Sequence, residues 1–179
     1  VKAQGEDVVA GIRTPQPLTI AEREEGGGDL ASMEEAQPGV FHELCAIREK
    51  LDRLNRDIEV LRQKGTDPRV LADIEVYAKA ADWILRHNEF YKPNYDKDTL
   101  AALDTGLKRA AAASEGKAVW GQAPGRLILA YRSKVDESVQ PYALQLPEGF
   151  DPADGKRWPL YVVLHGRGGT LNEVSFIRK

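Results

Sequence analysis

The sequence predicts an α+β to α/β chain in which a three-helix unit precedes the opening strands of a sheet. Three observations predict it. Apolar residues recur at heptad spacing from Val40 to Leu61 and again from Val70 to Ile84. Two stretches of strand character, 127–132 and 139–146, flank a polar turn. An unbroken apolar run from Leu160 to Leu164 ends in a turn holding His165, Gly166, Gly168 and Gly169. The implied boundaries are an acidic lead-in over 1–38, a helical domain over 39–113, a linker over 114–125 and a β region over 126–179.

The lead-in carries Glu22, Glu24, Glu25, Asp29, Glu34 and Glu35 around the triple glycine 26–28 and shows no apolar period, which predicts a solvated linker. From Val40, the residues Leu44, Ile47, Leu51, Leu54, Ile58 and Leu61 follow at alternating spacings of four and three, the stripe of one long helix. Glu49 with Arg53 and Asp52 with Arg56 set acid before base one turn apart on its outer face. Gly65 should end the helix. Asp67 then offers an N-cap and Pro68 a first helical residue whose missing N–H costs nothing there. The second helix carries Val70, Ile74, Tyr77, Ala81 and Ile84, and a turn this short makes the pair antiparallel. Trp83, Phe90, Tyr91 and Tyr95 read as an aromatic cluster packed into the core. A third helix, capped by Asp96 or Asp98, carries Leu100, Leu103 and Leu107 and fades at Ala110–Ala113.

Past a Gly/Pro/Ala-rich linker containing Trp120, Leu127 to Arg132 and Val139 to Leu146 read as an antiparallel pair, with Pro141 making the second strand an edge or irregular one. Leu160 to Leu164 then reads as a strand buried on both faces, the middle of a parallel sheet. The glycines after it would turn the backbone sharply and leave its N–H groups bare.

Composition narrows the class. Of 179 residues, 42% are apolar and 30% charged, with a net charge of −3, which gives a globular chain no electrostatic case for nucleic acid or an anionic membrane. No apolar run approaches the roughly 20 residues that span a bilayer, so a soluble protein is expected. The single Cys45 excludes an intrachain disulfide and reads as a packed thiol, leaving secreted, periplasmic and cytoplasmic locations all open. His42 and Cys45, three residues apart, put two candidate ligands on one helix face, and neither Glu43 nor Glu89 makes this the convergent set of three or four with a second shell that a metal needs, so no metal is expected there or at His87. The glycine turn lacks the Lys of a phosphate-binding P-loop, and Leu171 stands where a dinucleotide fingerprint needs its third glycine.

The run into His165-Gly166-Arg167-Gly168-Gly169, preceded by the Tyr142-Ala143-Leu144-Gln145-Leu146-Pro147-Glu148-Gly149-Phe150-Asp151-Pro152 stretch, resembles the entry to an α/β-hydrolase of the prolyl-oligopeptidase and carbohydrate-esterase type. The resemblance covers roughly 126–177 and would make these the first three strands of such a sheet. It implies a serine hydrolase, esterase or peptidase, acting on a small ester or peptide through an acyl-enzyme and needing no cofactor. It further implies that the N–H groups of Arg167 and Gly168 donate to the oxyanion while His165 and Gly166 set the loop; Arg167 departs from the all-glycine loop of many lipases, and its guanidinium would either favour an acidic substrate or fork onto a nearby Asp or Glu. It stops before any G-x-S-x-G elbow, acid or base, so it implies the inactive N-terminal portion of such an enzyme. A reading of another class takes the helices as a non-enzymatic interaction module, with the 40–61 seam joining two copies as a homodimer.

Overall fold

The computed structural model describes residues 38–118, 120, 125–151, 153–164, 166 and 168–178, without the side chains of 38–42. The acidic lead-in therefore lies outside the described residues. The first helix, α1, runs Pro38–Gln63. The heptad seam becomes its inner face, for Ile47, Leu51, Leu54, Ile58 and Leu61 are all buried. The helix ends where Gly65 takes a φ of 75°, a left-handed conformation that glycine adopts without a Cβ penalty. There Thr66 N donates to Leu61 O at 3.1 Å and Gly65 N to Arg62 O at 3.0 Å, so these two carbonyls of the last turn are satisfied. Asp67 caps α2, Pro68–Arg86, by accepting from Arg69 N at 2.8 Å, and Pro68 occupies the first turn.

The third helix, α3, runs Tyr95–Ser114 and so starts one residue before Asp96 and three before Asp98, the two expected caps. Asn94 stands at its N-cap without a side-chain cap bond. Asp96 and Asp98 lie inside the first turn, where carboxylates favour the helix dipole instead of capping it. In the middle of α3 is Gly106. A Cβ there would lie 2.7 Å from Leu54 Cδ2 and 2.9 Å from Tyr77 Cβ, so the missing side chain is what lets α3 settle between α1 and α2.

Strands β1, Gly125–Arg132, and β2, Val139–Leu146, pair antiparallel from Gly125 opposite Leu146 to Arg132 opposite Val139. Pro141 faces Ala130 and is tolerated because β2 has no neighbour on its other side among the described residues. One face of the hairpin, with Ile128, Ala130 and Val139, joins the helical core. A short helix, α4, Glu173–Arg178, adds Val174 and Ile177 to the same cluster. Helices and hairpin thus share one core across the expected linker.

Three expectations are corrected. From Ile47 to Leu61 the seam is buried in the chain's own core, so that part of it packs within the chain and not against a second copy. The aromatic cluster is split: Tyr95 is buried and Phe90 packs on the core. Trp83 stays 46% exposed, with Lys79 Nζ 5.1 Å above its ring and His87 edge-on at 5.5 Å. Leu160–Leu164 is no strand, since it takes no regular structure, pairs with neither β1 nor β2, and every residue in it is 73% to 91% exposed. A strand buried on both faces needs a neighbour on each side, and the described sheet offers none. Among the described residues no helix is long and apolar enough to cross a membrane.

Candidate functional site

Of the glycine-turn residues, His165 and Arg167 lie outside the described residues. Gly168 borders an open cleft of about 240 Å³ whose other walls are Lys92, Tyr95, Thr170, Leu171 and Ser175. The cleft is held by bonds between distant parts of the chain. Tyr95 Oη donates to Thr170 O at 2.5 Å, and Asn172 Nδ2 donates to Glu89 O at 3.0 Å. Asn172 and Ser175 cap α4 reciprocally: Ser175 N donates to Asn172 Oδ1 at 2.9 Å, and Asn172 N to Ser175 Oγ at 3.1 Å.

A Cβ at Gly166, Gly168 or Gly169 would meet nothing within 4 Å among the described residues, so crowding by those residues does not require glycine there. The Ser175 hydroxyl donates to Asn172 O at 2.8 Å and accepts from Asn172 N, so among the described residues its hydrogen bonds are spent on the turn that starts α4. Among the described residues no cluster of three or more His, Cys, Asp or Glu is placed to hold a metal. Cys45 is half-buried rather than packed away.

The strongest polar constellation lies elsewhere, where the helices meet the hairpin. Asp73 on α2 accepts from Ala130 N of β1 at 2.6 Å and from Trp120 Nε1 at 3.1 Å. Arg109 on α3 donates to Asp73 O at 2.9 Å and to Ile128 O at 2.8 Å. Its guanidinium sits between the rings of Tyr77, 5.0 Å away, and Trp120, 5.2 Å away. Burial lowers the Arg109 pKa, opposed by Tyr77 and Asp73, and burial raises that of the Tyr77 hydroxyl. A second knot is Glu75, 8% exposed, which accepts from Arg62 at 2.7 Å and also from Arg132, tying the α1–α2 corner to β1. A third is Lys79, which donates to Val139 O at 2.6 Å and pairs with Glu173 at 3.1 Å.

Sequence reasoning passed over all three knots. Asp73 and Glu75 flank the buried Ile74 and so interrupt the polar-outside rule, and Trp120 is a large aromatic stranded in a linker. Those were the available signals, but a single sequence does not say which carboxylate meets which arginine.

Glu173 yields a pH prediction. Burial raises its pKa above the ordinary carboxylate value, with Lys79 opposing, and its Oε1 is buried without a hydrogen-bond partner. A group whose pKa is raised on folding stabilises the fold below its unfolded pKa, and that contribution disappears as pH rises through the folded value. The stability of the parent relative to Glu173→Gln should therefore fall as pH rises from about 4 to beyond Glu173's folded pKa, read as urea midpoints across the series. A difference that stays flat, or rises, contradicts the assignment.

Comparison with known proteins points away from the hydrolase. No family profile matches the chain, and no solved structure matches it. Over 59 residues, 33% of this chain, it is 51% identical to the pyruvate, phosphate dikinase of Rhizobium meliloti (strain 1021), of which the match covers 7%. Over 59 residues it is 39% identical to the pyruvate, phosphate dikinases of Rickettsia conorii and Rickettsia felis, covering 33% of this chain and 6% of each of them. The chain thus matches less than a tenth of the length of these curated relatives. The resemblance to an α/β-hydrolase, the serine-hydrolase activity and the ester or peptide substrate it implied are overturned by these names, which belong to a kinase. The oxyanion role of Arg167 and Gly168, with His165 and Gly166 shaping the loop, came only from that resemblance. What the chain is similar to, over a third of its length, is pyruvate, phosphate dikinase.

Proposed function

We propose that the chain carries a segment of a phosphotransferase of the pyruvate, phosphate dikinase kind and that its helix–hairpin unit is the scaffold on which that segment is mounted. The observation that carries this reading is the 51% identity over 59 residues to the Rhizobium meliloti enzyme. The substrates it implies are those in the relatives' name, pyruvate and phosphate. Phosphoryl transfer works by positioning and by cations aimed at the moving charge, so it depends on a rigid support. The described core supplies rigidity: Arg109, Arg132 and Lys79 all point at internal partners and knit helices to strands.

The test is an exchange. The 59 matched residues of the Rhizobium meliloti enzyme are replaced by the corresponding residues of this chain, and dikinase turnover is measured with the soluble, folded chimera. If the segment does the same work in both proteins, kcat/KM stays within about tenfold of the parent enzyme, or ~1.4 kcal/mol of transition-state stabilisation. A folded chimera with turnover at background contradicts the reading.

A further inference from the structure

Among the described residues β1 has β2 on one side and no strand on the other. Its run from Leu127 to Tyr131 is apolar and uncharged, the kind of edge on which another chain adds a strand. In an antiparallel pair the backbone groups of alternate residues point away from the partner strand. Ala130 is such a residue, because its N–H leaves the hairpin for the Asp73 carboxylate at 2.6 Å. Ile128, two residues earlier, turns its carbonyl the same way and accepts from Arg109 at 2.8 Å. The other edge is treated alike: Val139 turns its carbonyl outward to Lys79 at 2.6 Å, and Pro141 has no N–H to offer.

Any strand added to β1 needs the Ile128 carbonyl and the Ala130 N–H. A parallel neighbour would take both with one residue, whose N–H donates to the first and whose C=O accepts from the second. The Arg109 guanidinium stands in that donor's place and the Asp73 carboxylate in that acceptor's. The two are fixed to each other, since Arg109 also donates to Asp73 O at 2.9 Å, and Trp120 Nε1 holds the second carboxylate oxygen at 3.1 Å. We infer that Asp73 and Arg109 act as a surrogate strand residue that seals β1 and keeps its apolar edge from pairing with the same edge of a second copy of the chain. The seal is a property separate from the clamp's contribution to stability, because opening it creates an association that lost stability alone does not. It stands independently of the dikinase reading.

Asp73→Leu keeps the side chain's size and removes the acceptor. Leu54→Ala, in the helical core, is the control for lost stability. In sedimentation velocity on the whole chain between about 1 and 100 µM, Asp73→Leu should self-associate at concentrations at least about tenfold below those at which the parent or Leu54→Ala does. As its concentration rises, the Ala130 amide, freed of the carboxylate, should regain protection from hydrogen exchange. Arg109→Met uncovers the Ile128 carbonyl instead, and its sedimentation carries the test where far-UV circular dichroism shows Asp73→Leu unfolded. A folded edge variant that sediments as the parent does overturns the proposal. So does Leu54→Ala associating as readily, or association of Asp73→Leu that leaves the Ala130 amide unprotected.

Discussion

Arg109→Ala should lower folding stability by about 3 to 5 kcal/mol, the range seen when one member of a buried charged network is removed. The substitution deletes the donors to Asp73 O and Ile128 O and the cation between Tyr77 and Trp120. It leaves a cavity where α3 meets β1. Arg109→Lys keeps a charge but not the planar fork that reaches two carbonyls at once, so it should recover only part of the loss. Urea unfolding followed by circular dichroism measures both variants. If Arg109→Ala costs less than about 1 kcal/mol, the guanidinium is an ornament of the core and not a tie between helices and hairpin.

Leu54→Ala should be comparably costly, about 2 to 5 kcal/mol, because Leu54 is fully buried in the face that α1 turns toward α3. Its partner in this contact is Gly106. Gly106→Ala would place a methyl 2.7 Å from Leu54 Cδ2, and overpacking of this kind costs about 1 to 3 kcal/mol, less the roughly 1 kcal/mol that alanine gains over glycine in a helix. Combining the two removes the closest clash, so the double variant should be more stable than the sum of the singles predicts, by about 1 kcal/mol. Tyr77 Cβ, at 2.9 Å, keeps the rescue incomplete. Simple additivity in the denaturation midpoints would mean that the helices separate to admit the methyl.

The helices were legible because their signals are local. A 4-3 apolar stripe, a glycine stop and an Asp-Pro start each act within a turn or two, and α1, α2 and the cap at Asp67 formed as those signals dictate. The hairpin was legible for the same reason, with β2 at the expected bounds and Pro141 on an edge. Leu160–Leu164 shows where such reading ends. Its composition states that it wants to be a strand, but strandedness is a property of two segments, and the described residues supply no second one. In the glycine turn a Cβ at Gly166, Gly168 or Gly169 would meet nothing within 4 Å among the described residues, so crowding by them is not what calls for glycine. The clamp built on Asp73 and Arg109 was invisible because it joins residues 36 apart in sequence through backbone carbonyls, which carry no residue code.

Native-state amide hydrogen exchange tests the scaffold most directly. Ala130 N, bonded to the Asp73 carboxylate, reports the junction of β1 with α2, and amides of Ile74 and Leu103 report the helical core. If the clamp makes helices and hairpin one cooperative unit, all three should exchange only through global opening, with equal opening free energies that fall together in Arg109→Ala. Exchange of Ala130 through a lower-energy opening while Ile74 and Leu103 stay protected would show that the hairpin folds and unfolds by itself, and would contradict the account of a single scaffold.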